Sequence, residues 1–220
     1  ESVERIWKAK LELDLFSSTN NNWEELSENI GKNDHYKTAN QIANSSITIV
    51  KDDNNRIPLK PEKIKKTTHL ILSLDDGAND ALKPFHSEIN KIHHNVNKIF
   101  INNKLSKLRI DEIISELSSS DMVVVSLLIR IRMDKGIATI DDSHADLLRS
   151  MHNKGINFIT ISFGSPYLPA YDYLDTYIAA YGYGSVALRG CSDIIWGRAN
   201  ASGKLPINLN SKYVRGHGID

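Results

Sequence analysis

The chain has 220 residues, enough to bury a substantial core in one large domain or one domain with an arm. Its 27 basic and 27 acidic side chains cancel, and with no basic run there is no electrostatic footprint for nucleic acid. No stretch approaches the roughly 18 apolar residues of a membrane span, and the single cysteine, Cys191, can close no internal disulfide and belongs to no zinc-type Cys/His spacing. Cys191 falls within the last helical pattern, so it reads as a buried structural thiol. The chain opens at Glu1 without methionine or a signal peptide, so it is expected to be processed or excised from something longer, and its compartment is not readable.

The N-terminal segment carries Val3, Ile6, Trp7, Leu11 and Leu15 at helical spacing, which makes one sticky face. Asn20-Asn21-Asn22 breaks it, Trp23, Leu26 and Ile30 mark a second short stripe, and Gly31 ends that one. From Asp34 the pattern alternates. A helix over Tyr36–Ala43 leads to a strand at Ile47–Val50, and further apolar runs follow at Leu70–Leu74, Ile99–Ile101, Met122–Leu128, Ile156–Ile161 and Thr176–Ala180. These runs are short, continuous and rich in Ile and Val, as strands covered on both faces are. Between them lie helices. Pro84 suits a first turn ahead of Phe85, Ile89 and Ile92, while Ile110, Ile113, Ile114 and Leu117 form a second stripe. Ala145, Leu147, Leu148 and Met151 form a third, with Asp141, Asp142 and Ser143 available as caps. A last helix starts at about Ser185, uses Val186, Ala187, Ile194 and Ile195, and stops at Gly197. The predicted architecture is a three-layer α/β/α sandwich, flavodoxin-like, with a mostly parallel sheet of five to six strands after a helical N-terminal arm.

Ligands of such sheets bind at the carboxyl ends of the strands. Those ends carry Asp75-Asp76-Gly77, Asn102-Asn103, Arg130–Lys135 and Gly164-Ser165-Pro166-Tyr167. None is a cofactor fingerprint, and no cofactor or metal is expected. Gly182-Tyr183-Gly184 lacks dinucleotide spacing and reads as a turn into the last helix, and neither a phosphate loop nor a nucleophile elbow is present. Asp75-Asp76 reads as a solvated turn, and His93-His94, as helix neighbours, diverge. His144 reads as a capping or surface residue, and Arg215-Gly216-His217-Gly218 either as a defined glycine-bracketed tail or as a flexible terminus.

Four segments carry a family resemblance. Trp196-Gly197-Arg198-Ala199-Asn200-Ala201-Ser202-Gly203-Lys204-Leu205-Pro206 resembles the "LFG-x-x-N-P-S-G-K-L-P" signature near the end of the C-terminal α/β domain of family 3 glycoside hydrolases. Ala43–Asp52 followed by Ile57-Pro58-Leu59 resembles that domain's opening, Phe163–Leu168 the loop after its fifth strand, and Ala179–Gly182 the strand before its last helix. The segment Glu1–Phe16 resembles the last helix of the preceding catalytic barrel. The resemblance implies residues 1–33 as barrel helix and interdomain linker, and 34–220 as the sandwich domain.

Glycoside hydrolysis normally takes two carboxyl groups. In the family's β-glucosidase branch one of them, a glutamate, lies in the loop after the fourth strand of this domain. The matching stretch Leu128–Gly136 has no glutamate, and none occurs after Glu116. Asp134 is a poor substitute, because Arg132 and Lys135 favour its ionised form. The β-N-acetylhexosaminidase branch keeps its nucleophile and its proton-transferring histidine in the barrel, so the missing glutamate points there. No catalytic residue is expected in these 220 residues, and the barrel motif "K-H-F-P-G-H-G" is absent. The domain is expected to brace the barrel of the same polypeptide and to line a carbohydrate cleft with Ser165, Tyr167 and Tyr183. The resemblance favours a bacterial periplasm or cell envelope. Two alternatives stand: a β-glucosidase-type member using Asp134, and a flavodoxin-like module binding a small ligand. The apolar face of Ile6, Trp7 and Leu11 is expected to drive self-association in isolation.

Overall fold

The computed structural model describes residues 1–17, 22–131 and 138–219. It divides into two compact units, Glu1–Thr38 and Ala39–Asp220.

The first unit holds helices α1 (Ser2–Glu12) and α2 (Trp23–Asn29) and the start of α3 (Asn33–Ser46). The predicted stripe on α1 is there, with Val3, Ile6, Trp7 and Leu11 exposed. Trp7 stacks on Phe16 with ring centroids 4.9 Å apart. Asn22 caps α2 by accepting from the Glu24 backbone N–H at 3.1 Å.

The second unit is a three-layer α/β/α sandwich on a six-stranded sheet. Its strands are β1 (Thr48–Asp52), β2 (Thr67–Leu72), β3 (Val96–Ile101), β4 (Met122–Ile129), β5 (Phe158–Gly164) and β6 (Thr176–Ala179), in the order β1-β6-β5-β4-β2-β3. All neighbours pair in parallel except β1 with β6. β4, buried along its whole length, is almost wholly apolar rather than alternating. On one face Leu70, Leu72, Val123, Val125 and Leu127 pack against α6 (Lys107–Leu117) and α7 (Asp142–Asn153). On the other, Ile71, Val124, Leu128, Ile159 and Ile161 pack against α4 (Ala78–Ala81), α5 (Lys83–Ile92) and α8 (Ser185–Ile195). Among the described residues, no helix is long and apolar enough to cross a membrane.

Local signals behave as the residues require. Pro84 sits in the first turn of α5, Asp141 caps α7, and Gly197, at φ +69°, follows the end of α8. β2 begins three residues earlier than its apolar run suggests. Thr67, Thr68 and His69 are all buried, and Asp121 gathers the Lys65 and Lys66 backbone N–H groups at 2.9 and 2.8 Å where the strand begins. The C-terminal tail is not loose. Leu205 N–H donates to His217 O, and Gly216 N–H donates to Leu205 O, each at 2.8 Å.

Candidate functional site

The chain leaves β2 towards β3 at one edge, then returns to place β4 on the other side of β2. Connections therefore depart in opposite directions at the carboxyl ends of β2 and β4, the position where open α/β sheets form a ligand crevice. A cleft of about 370 Å³ lies there. Ser73 and Asp75 line it from beyond β2, Arg130 from the end of β4, and Thr139, Asp141 and His144 from the approach to α7 and its first turn.

An ion pair spans the floor: Arg130 Nη1 lies 3.0 Å from Asp75 Oδ2, and the Arg130 guanidinium rests on the ring of Tyr183 at 4.8 Å. Asp75 also accepts from Gly77 N–H at 2.9 Å, an Asx turn that fixes its carboxylate. Ser73 Oγ donates to Leu128 O at 2.7 Å and so ties the two strand ends together. Arg130 Nε and Thr139 Oγ1 are buried and find no partner among the described residues.

Across the cleft, Asp141 is held below the usual carboxylate range, chiefly by the Ser143 hydroxyl, with Lys104 3.4 Å away. His144 is buried, and its desolvation holds the imidazole below its ordinary value. Its Nε2–H donates to Asn103 O at 3.0 Å. It is thus a core residue, not the capping or surface residue expected, because α7 turns it inward against the loop after β3. With Asp141 ionised and His144 neutral near pH 7, the cleft offers hydrogen bonds and a fixed charge pair; neither group is poised to give up a proton.

The three predicted rim residues fall at different depths. Ser165 is buried, and its hydroxyl donates to Ala138 O. Tyr167 and Tyr183 are exposed, and Tyr183 carries the Arg130 guanidinium of the cleft on its ring. Asp134, Arg132 and Lys135 lie outside the described residues. Asp75 does sit in a turn, but its carboxylate is largely covered rather than solvated, and its pairing with Arg130 was not legible, since 55 residues separate the two. His93 and His94 are not helix neighbours: α5 ends at Ile92, and His93 is buried with Nε2–H donated to Ile64 O at 2.7 Å. Cys191 is fully buried and its thiol is pushed up by desolvation. No group of three metal-binding side chains occurs among the described residues.

A second polar cluster lies inside the α5 face. His69 on β2 is fully buried, with Nδ1 3.2 Å from Nδ1 of His86 on α5 and Nε2 2.8 Å from Ser126 Oγ. Burial first, then the fields of His86 and Lys98, lower the His69 pKa to about 3. Of the two facing nitrogens, one must donate and the other accept. This pair closes on itself and does not open to the cleft.

No protein-family model and no curated protein matches the chain. Solved structures do. A β-glucoside phosphorylase, BglX, is 22% identical with a TM-score of 0.69, covering 92% of this chain and 36% of that chain. A β-glucosidase from Listeria innocua, in complex with isofagomine, is 17% identical with a TM-score of 0.73 and coverage of 93% and 31%. A glycoside hydrolase family 3 β-N-acetylglucosaminidase from Paenibacillus sp. is 17% identical with a TM-score of 0.62 and coverage of 82% and 34%. At such identities the likeness is one of fold. These neighbours act on β-glycosides, one of them as a family 3 glycosidase, and the chain spans about a third of their length.

Proposed function

We propose that the chain is the non-catalytic C-terminal sandwich domain of a family 3 glycoside hydrolase. In this reading residues 34–220 are the domain and 1–33 the last barrel helix and linker. The observation that carries it is a fold shared over most of this chain with one part of several much longer glycosidases. The four sequence segments quoted above agree with it. The finer reading is a retaining parent enzyme acting on terminal β-linked N-acetylglucosamine. It rests on the absence of any glutamate after Glu116. The domain braces the barrel of the same polypeptide, and Tyr167 and Tyr183, with Ser165 beneath them, shape the rim of the carbohydrate site.

The test is hydrolysis of chromogenic β-N-acetylglucosaminide and β-glucoside by this chain and by the full-length parent in parallel. The expected outcome is a silent chain and a parent that prefers the N-acetyl sugar. Turnover by the chain alone would overturn the accessory role. A parent that prefers the glucoside, and loses activity on Asp134→Ala, would move the protein to the β-glucosidase branch.

A further inference from the structure

β1 is the outermost strand of the sheet, yet Thr48, Ile49, Val50 and Lys51 are all buried. An edge strand normally offers a row of backbone groups to water or to another strand. Here the C-terminal segment takes them. Ile219 N–H donates to Ile49 O at 2.9 Å in an antiparallel bridge, and His217 Nε2–H donates to Val50 O at 2.7 Å. The two accepting carbonyls belong to consecutive residues, which a regular strand points to opposite sides. The register slips between Ile49 and Lys51 in the pairing with β6, and this bulge turns both carbonyls towards the tail.

The segment is held by contacts of its own. Lys204 Nζ donates to Gly218 O at 2.8 Å, and the His217 ring tilts against Tyr213, centroids 5.2 Å apart. Tyr213 is anchored in turn, edge-on to Tyr171 in the core. A Cβ on Gly218 would lie 2.3 Å from Gly203 O, so the tail runs against backbone with no room for a side chain.

The geometry points to a strap: residues 214–219 occupy the pairing edge of β1, and their release opens that edge to β1 of a second copy of this chain. The edge is self-complementary. Antiparallel pairing centred on Val50 sets Ile49 opposite Lys51 and Thr48 opposite Asp52, so no like charges face each other. The product is a two-fold dimer with one sheet continuous across the axis. This holds whichever enzyme the chain belongs to.

The test compares the full chain with a variant ending at Tyr213, by sedimentation velocity over a wide concentration range. The full chain sets the baseline, including any association through the α1 stripe. The truncated chain is expected to double its sedimenting mass relative to that baseline and to keep its β1 amides protected from hydrogen exchange. Adding a synthetic peptide of residues 214–220 should restore the baseline mass. A truncated chain that stays folded at the baseline mass overturns the strap, and so does an association the peptide does not reverse. If truncation unfolds the chain, the full-length double variant His217→Ala, Ile219→Pro decides. It removes both donors to β1 while keeping the tail: the doubled mass supports the strap, and the baseline mass overturns it.

Discussion

The sheet has two edges, guarded by different means. At β1 the edge is roofed by the tail, which comes in close enough to bond two carbonyls, and the strand beneath is buried although no strand flanks its outer side. At β3 the edge stands open, with Asn97 and Lys98 exposed in mid-strand. Covering an edge lets it keep Ile49 and Val50 but demands tight backbone approach at fixed positions. Guarding it with charge demands one residue and constrains little else. The two edges should therefore respond very differently to substitution.

The largest difference is expected at Gly203, which underlies the tail. A Cβ there would sit 2.4 Å from both Ile47 O and Ser46 O, distances that only backbone movement can relieve. Gly203→Ala should destabilise the fold by about 2–4 kcal/mol. Asn97→Ala, at the open edge, should stay within about 0.5 kcal/mol of the parent chain. Denaturant midpoints of the two variants, measured together, check the contrast. Equal midpoints would mean that the β1 edge is no more constrained than the β3 edge.

Next in size is acid sensitivity, which belongs to the β3 side. His69 lies one strand in from the open edge, directly across from Lys98. Its folded-state pKa of about 3 is far below the ordinary value of 6.5. As pH falls below about 6.5 the unfolded chain therefore takes up a proton that the folded chain refuses, and stability drops. The slope for this one group is about 1.4 kcal/mol per pH unit, continuing until the folded-state pKa is reached. His86 and His144, also lowered by burial, act in the same direction. Thermal melts between pH 7 and about pH 4 should show this limb, and His69→Gln should flatten it. An unchanged slope in His69→Gln would place the acid sensitivity elsewhere. Asp121 and Asp141, with lowered pKa values, lose their contribution only at still lower pH.

What could be read from the residues, and what could not, follows the same division between local and distant causes. All six strands and every helix but the short α4 are visible as an apolar run or stripe, because burial writes itself into consecutive residues such as Met122–Ile129. Caps and stops at Pro84, Asp141 and Gly197 are local too. The beginning of β2 was missed because Thr67, Thr68 and His69 are polar residues buried by partners elsewhere in the chain. The flexible-terminus reading of the tail fails for a related reason: its hold on β1 joins His217 to Val50 across 167 residues of sequence. Gly218 looked like freedom when it marks close approach to the Gly203 backbone. The Arg130–Asp75–Tyr183 arrangement in the cleft is likewise assembled from three separate loops, and no spacing announces it.

The smallest expected effect sharpens the comparison most, because one residue serves both purposes at the open edge. Lys98 keeps β3 charged, and its field is also a minor cause of the low pKa values of His69 and His86. Lys98→Val removes both. At pH 7 stability should change by less than about 0.5 kcal/mol, since the side chain is exposed and unburdened by packing. On acidification the folded-state pKa values of the two histidines rise towards the ordinary value. The gap to the unfolded chain narrows, so the acid limb keeps its onset near the ordinary value of 6.5 but levels off sooner and loses less stability in all. At the same time β3 becomes an uncharged edge, so self-association should increase with concentration at neutral pH. Acid melts at low protein concentration separate the two effects. A deeper limb would mean that Lys98 supports the histidine pair instead of repelling its proton.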